Sequence, residues 1–195
     1  MPYTPAHKEQ SRTKILKAAS HLFASRGFDN VTIDEIMAAA GMTRGAFYAH
    51  FETKAALYAE SITSTPAHNS RVRAFMDGGG SLEKLQQLVN TYLSRDHIDG
   101  PSEPCPLSFL VTDIVNREPE GRRAYTHVYQ QLVAHVAEHV PCDSKKEREQ
   151  RAYGISALLI GGVALGRAVG DDKTVDVLLA SCLKTVEQLL TDSYD

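Results

Sequence analysis

Tryptophan is absent from this chain of 195 residues, and cysteine occurs only three times, at Cys105, Cys142 and Cys182. Three scattered thiols make no disulfide framework and no paired Cys ligand set. The longest uncharged run lies between Arg151 and Arg167 and carries Gly154, Gly161, Gly162 and Gly166. It falls short of the roughly 20 apolar residues that cross a bilayer, so it reads as a buried helix. No apolar leader opens the chain, which points to a cytoplasmic protein. Sustained period-2 alternation is missing, as is an Asn-Gly or Asp-Gly turn between β-branched runs, and this excludes a sheet. Catalytic signatures are missing as well: no G-x-S-x-G, no phosphate loop, no G-x-G-x-x-G and no H-E-x-x-H. Gly78-Gly79-Gly80 follows a helical pattern without the Lys-Ser/Thr of a phosphate loop. His135 and His139, one helical turn apart and followed by Cys142, have metal-ligand spacing. They lack a second pair, so neither a metal nor another cofactor is expected. What is left is an all-α chain that is not an enzyme.

The charge is modest but uneven. Net charge is −3, from 21 Lys and Arg against 24 Asp and Glu. Residues 1–57 hold seven of the cations (Lys8, Arg12, Lys14, Lys17, Arg26, Arg44 and Lys54) against five acids, a local excess of two. A basic N-terminal part in an acidic whole suits contact with a polyanion at that end.

That end also carries the sharpest local pattern, TIDEIMAAAGMTRGAFYAHFETKAALY over residues 32–58. Thr32 and Glu35 have capping-box spacing. Ile33, Ile36, Met37 and Ala40 share one helical face. Gly41 supplies the left-handed residue that stops a helix. Thr43 is placed to cap a second short helix, in which Phe47 and Phe51 point inward. Thr43, Arg44, Gly45, Tyr48 and His50 remain outside. This is a helix-turn-helix, whose second helix enters the DNA major groove. Thr43, Arg44 and Gly45 fall nearest the base edges. Arg44 has the reach for guanine or phosphate, and Gly45 allows close backbone approach. Tyr48, His50 and Lys54 suit phosphates, as does the Thr32 amide, with Arg12 or Lys14 as anchors on the first helix. The structural alternatives are caps for Thr32 and Thr43, cover over Phe51 for His50, and solvated charge for Arg44 and Lys54.

The run GMTRGAFYAHFETKAAL resembles the recognition-helix signature of the tetracycline-repressor (TetR) family of transcriptional regulators. RTKILKAASHLFASRGFDNVTIDEIMAAAG is similar to that family's first two helices, so the likeness covers roughly residues 11–60. It rests on Gly27-Phe28, Thr32, Ile36, Gly41, Phe47-Tyr48, Phe51 and Lys54. The resemblance implies a DNA-binding repressor that reads a palindromic operator as a homodimer and answers to a small-molecule effector.

Periodicity carries the helical reading to the C-terminus. After a loose arm over residues 1–7, it predicts about nine helices: a helix-turn-helix domain over 1–52, then a ligand-binding and dimerisation bundle over 53–195. A helix from Thr53 to about Met76, crossed by Pro66, joins the two. One helix is expected over 107–116, and two long ones over 144–169 and 175–190. The last two are candidates for a dimer seam through Leu158, Gly162, Leu165, Gly166, Leu179, Leu183 and Val186, with the core of a monomer as the alternative. Tyr92, Phe109, Asp113, Tyr125, Tyr129 and Arg167 are candidates to line a cavity, with ordinary packing as the alternative. Cys105, between Pro104 and Pro106, sits at a helix start, a setting that lowers thiol pKa. CPLSFLVTDI is similar to a branch of the family with Cys at this junction, some members of which sense electrophiles or oxidants. A packed, inert thiol is the other reading. The alternative functions are a helical protein–protein adaptor and a DNA-binding protein without a small-molecule ligand.

Overall fold

The computed structural model describes residues 5–68, 81–100 and 104–191. Among these residues the chain is helical, with no strand. The order is α1 (Pro5–Arg26), α2 (Ile33–Ala39), a 3₁₀ reader segment (Arg44–Ala49), α3 (Lys54–His68), α4 (Leu82–Tyr92), α5 (Arg95–Ile98), α6 (Pro106–Phe109), a 3₁₀ turn (Ile114–Asn116), α7 (Pro119–His139), α8 (Lys145–Ala168) and α9 (Asp172–Thr191). The all-α expectation therefore holds. Helix α1 includes Pro5 to His7, which were expected in a loose arm, and residues 1–4 lie outside the described residues. The joining helix runs through Pro66 to His68, and the rest of its expected course to Met76 lies outside the described residues. The expected Gly78–Gly80 loop lies outside the described residues. The single helix expected over 107–116 is instead two short turns, α6 and the 3₁₀ turn, separated at Leu110–Asp113.

Two compact units divide the chain, and neither is continuous in sequence. One comprises residues 1–68 with 104–128, the other 69–103 with 129–195. In the first unit Ile15, Ala19, Phe23, Ile36, Met37, Phe47, Leu57 and Ile62 are fully buried. α1 packs against α2 and α3, and also against α6, from the second stretch of the chain.

In the second unit α8 and α9 form the main pair, with α4 and α5 on them. Leu85, Ile155, Leu159, Val163 and Val186 fill its core. Gly162 and Gly166 are used inside this packing. A Cβ at Gly162 would stand 2.9 Å from Leu93 Cδ2, and one at Gly166 would stand 2.5 Å from Ile98 Cδ1. Arg95 closes the unit at one end. It donates to Asp176 Oδ1 (2.8 Å), Asp172 Oδ1 (3.0 Å) and the Asp172 carbonyl (2.6 Å). Arg151 does so at the other, donating to the Leu189 carbonyl at 3.1 Å and to Glu147.

Candidate nucleic-acid interface

Local chemistry builds the reader. Thr32 sits extended before α2 and its hydroxyl accepts from the Glu35 amide at 3.2 Å. Its own amide donates to Glu35 Oε2 at 2.8 Å, closing the capping box. α2 ends in a Schellman turn: Gly41 N–H donates to Ala38 O (3.0 Å) and Met42 N–H to Met37 O (2.8 Å). Gly41 takes φ +72°, which the turn requires and only glycine adopts without penalty. Thr43 is extended, and its side chain makes no cap bond, contrary to the capping expected of it. The next segment is a 3₁₀ turn rather than an α-helix, starting with Ala46 N–H to Thr43 O at 3.0 Å. Six residues anchored inward by Phe47 are short enough for the tighter winding.

The outer face carries Thr43, Arg44, Gly45 and Tyr48, all exposed. Arg44 Nη1 donates to Asp34 Oδ2 at 2.6 Å. The Asp34 charge and then the Tyr48 hydroxyl hold the guanidinium above its ordinary pKa. Both partners of that ion pair are more than half exposed, so water screens it and it can be exchanged for another anion. A Cβ built on Gly45 meets nothing within 4 Å. The fold itself therefore does not ask for glycine there. Beside this face a cleft of about 680 Å³ is lined by His7, Lys8 and Lys14 of α1 and by Thr43, Ala46 and His50. Lys8 is a cation that sequence spacing does not single out, because only the packing of α1 carries it to the reader.

Three expected contacts have other occupations. The Thr32 amide is taken by Glu35, so its phosphate role gives way to capping. Arg12 pairs with Glu60 on α3 (Nη2 to Oε2, 2.7 Å) and lies 4.5 Å from the Phe51 ring centre. Lys54 Nζ donates to the Phe28 and Val31 carbonyls, each at 2.7 Å, and lies over the Phe28 ring. Burial pushes its ammonium below the usual range. An ammonium has three donors, so Lys54 has one N–H beyond the two that tie the turn after α1. His50 is half-buried, and its Nδ1 has no hydrogen-bond partner. Burial, then the charges of Lys8 and Arg12, lower its pKa.

The candidate ligand residues are divided. Cys105, Phe109, Asp113 and Tyr125 belong to the first unit, and Tyr92, Tyr129 and Arg167 to the second. Asp113 is not an open lining group. Its Oδ1 accepts from the Phe28 amide (3.2 Å) and its Oδ2 from the Tyr58 hydroxyl (2.7 Å). Tyr125 donates to Leu107 O at 2.5 Å. Tyr92 is buried edge-on to His97. Cys105 is half-buried immediately before α6, with Pro106 in the first helical turn as its composition suggests.

Of the candidate seam residues, Gly162, Gly166, Leu179 and Val186 are buried in their own unit. The close approach that the two glycines permit is therefore intramolecular, against Leu93 and Ile98. Leu158 and Leu183 are half-buried, and Leu165 is 55% exposed.

A capped α2, a glycine turn and an exposed polar reader beside a basic cleft define a helix-turn-helix DNA-binding domain. Residues 15–60 match the family model described as bacterial regulatory proteins, tetR family. Over these residues, about a quarter of the chain, the sequence is similar to the tetR family. It is 44% identical over 64 residues to the uncharacterized HTH-type transcriptional regulator YdgC of Bacillus subtilis, covering 33% of this chain and 31% of that protein. It is 32% identical over 85 residues to the probable acrEF/envCD operon repressor of Escherichia coli K12, covering 44% and 39%. The match thus spans only about a third of the length of these relatives. Solved structures share the fold over nearly the whole chain. Reduced NemR from E. coli superposes with TM-score 0.77 at 18% identity, covering 95% of this chain and 99% of that one. FadR from B. subtilis in complex with stearoyl-CoA superposes with TM-score 0.64 at 15% identity, covering 93% and 99%.

Proposed function

We propose that this protein is a ligand-responsive DNA-binding transcriptional regulator, a repressor that grips a palindromic operator as a homodimer and is released by a small-molecule or thiol-reactive effector. One observation carries the DNA-reading part. Gly45 sits in open space on the reader face, where the fold makes no demand for glycine, flanked by Thr43, Arg44 and Tyr48 and by the cleft with Lys8 and Lys14. Such a surface suits a partner that approaches the backbone closely and is negatively charged. Arg44 exchanges Asp34 for a base edge or phosphate, while Thr43 and Tyr48 offer hydroxyls.

The repressor reading is supported by the related E. coli operon repressor. The homodimer is supported by a stripe on α8 that its own unit leaves open: Tyr153, Ala157, Gly161, Leu165 and Ala168 recur at three- and four-residue spacing, and Val177 on α9 is exposed as well. Two readers related by a two-fold axis address half-sites about 34–36 Å apart. The effector reading is supported by the fold shared with FadR, which is itself in complex with stearoyl-CoA. Cys105 at the start of α6 is the residue through which a thiol-reactive effector would act.

A gel shift against the DNA flanking the protein's own gene tests this function. Binding should weaken steeply with salt, with a slope near −0.9 per neutralised phosphate. Equal affinity for every sequence at one salt concentration would defeat the operator reading. N-ethylmaleimide, with and without Cys105→Ser, tests the thiol effector, which fails if operator release does not change.

A further inference from the structure

The reader's first unit contains a stretch of chain that lies far from it in sequence, and that stretch holds the turn on which the reader is mounted. Gly27–Val31 links α1 to α2. Gly27 has φ +76°, and a Cβ there would also stand 3.0 Å from Asp113 Oδ1. Asp113 accepts the Phe28 amide with that same oxygen and the Tyr58 hydroxyl with the other. Burial first, then the bond to Asp113, hold the Tyr58 phenol well above its ordinary pKa. Arg117 makes a two-pronged bond to Asp29, Nη1 to Oδ1 at 2.9 Å and Nη2 to Oδ2 at 2.7 Å. Its Nε donates to the Asp113 carbonyl at 3.2 Å, and its guanidinium lies 4.9 Å from the Phe28 ring centre. On the same ring sits Lys54 Nζ at 4.1 Å, itself bonded to the Phe28 and Val31 carbonyls. Tyr58 and Phe23 pack against the ring as well. Phe28, Asp29 and Val31 of the turn are thus held by groups on α3 or on residues 113–117, while the Gly27 amide donates to Phe23 O at 2.8 Å.

We infer that Asp113 and Arg117 are positioning residues for DNA reading: they clamp the Gly27–Asp29 turn and set the placement of α2 and the reader segment. This rests on the DNA-reading function proposed above. The physical ground is the stiffness of the clamp. A planar guanidinium bonded by two parallel hydrogen bonds fixes orientation as well as distance. Arg117 is only 10% exposed and so is poorly screened, although Asp29 is 73% exposed. The Arg117 bond holds the Asp29 carboxyl below the usual carboxylate range. A shift of Asp113 or Arg117 cannot leave the turn in place, because both α1 and α2 end on it. The reader follows α2 through the Schellman turn at Gly41.

The test uses the full chain and a duplex enriched by the wild-type protein from a random library, with a scrambled duplex of equal length as control. Asp29→Ala removes the exposed half of the clamp and Arg117→Met the other half, with the helical content of each checked by circular dichroism. Each variant should reduce the ratio of selected to scrambled affinity by about tenfold or more, while scrambled-duplex affinity and salt slope stay at the wild-type values. The double variant should lose no more than either single one, because both remove one contact. Hydrogen exchange at the Phe28 and Val31 amides should speed up in all three. Ratios within about twofold of wild type in Asp29→Ala overturn the positioning role. So does an equal loss on both duplexes, which marks plain destabilisation. A wild-type protein that enriches no sequence overturns the DNA-reading function, and the positioning role with it, before any variant is compared.

Discussion

At the scale of single residues, the reader face separates side chains that the fold needs from those that it does not. Phe47 is fully buried, and replacing it would unfold the domain. Gly45 is the opposite case. Gly45→Ala should leave thermal stability unchanged or raise it slightly, since Gly in helical backbone costs about 0.5–1 kcal/mol relative to Ala. The same change should weaken binding to the selected duplex. Calorimetry and a gel shift on one preparation check both, and a stability loss with unchanged binding would refute the role. Arg44→Ala should cost about 1–3 kcal/mol of discrimination at a base pair, or act uniformly across sequences if Arg44 meets a phosphate. His50 gives a pH dependence. Its folded pKa lies below the ordinary 6.5, so the free protein favours the neutral ring and loses stability as pH falls from about 6.5 through the folded value. A phosphate beside the ring would favour the protonated form instead. Affinity should then rise as pH falls from 8 to 6, by up to about fivefold for an exposed ion pair. His50→Gln should flatten that profile in a fluorescence-anisotropy titration.

At the scale of elements, α2 depends on its two ends. It is seven residues long, too short to be stable alone, so its capping box and its Schellman turn set whether it forms. Thr32→Ala should cost about 1 kcal/mol and lower the melting temperature by about 2–4 °C for a chain of this size. The box also responds to acid. The Thr32 amide, then its hydroxyl, hold the Glu35 carboxyl below its ordinary value. That stabilisation is complete above the unfolded value and is lost as pH falls through the folded one. These ends were readable beforehand, because cap, box and glycine lie within ten residues of one another. The reader's 3₁₀ winding was not readable, since a six-residue segment with one aromatic anchor fits either helix type. The same holds for residues 107–116, where helical periodicity concealed a break. Asp113 and Arg117 there take partners on the turn after α1, more than eighty residues earlier in the chain.

At the scale of the whole molecule, the open apolar stripe on α8 asks for cover. Leu165 is 55% exposed and Val177 60%, and singly exposed apolar residues need no explanation, whereas a stripe on one helix face does. Leu165→Glu should convert a dimer to protomers in analytical ultracentrifugation and weaken operator binding, with the helical content by circular dichroism unchanged. Gly161→Ala should be milder, since a Cβ there meets nothing of its own chain within 4 Å. A dimer that survives Leu165→Glu at micromolar concentration places the seam elsewhere.

The amino-acid order alone determined the helical class, the position of the reader and the choice of Thr43, Arg44, Gly45 and Tyr48 as its outer face. Those features depend on turns of three to five residues, where capping chemistry and periodicity act locally. Only the tertiary structure decided which polar groups are engaged. It paired Arg12 with Glu60, gave two of the Lys54 donors to backbone carbonyls, turned Gly162 and Gly166 inward, and set Asp113 and Arg117 on the turn that carries the reader. The reason is that a charged or small residue looks the same in sequence whether it meets solvent, DNA or its own chain. Its partner is chosen by packing between segments that are distant along the backbone, and local spacing carries no record of that choice.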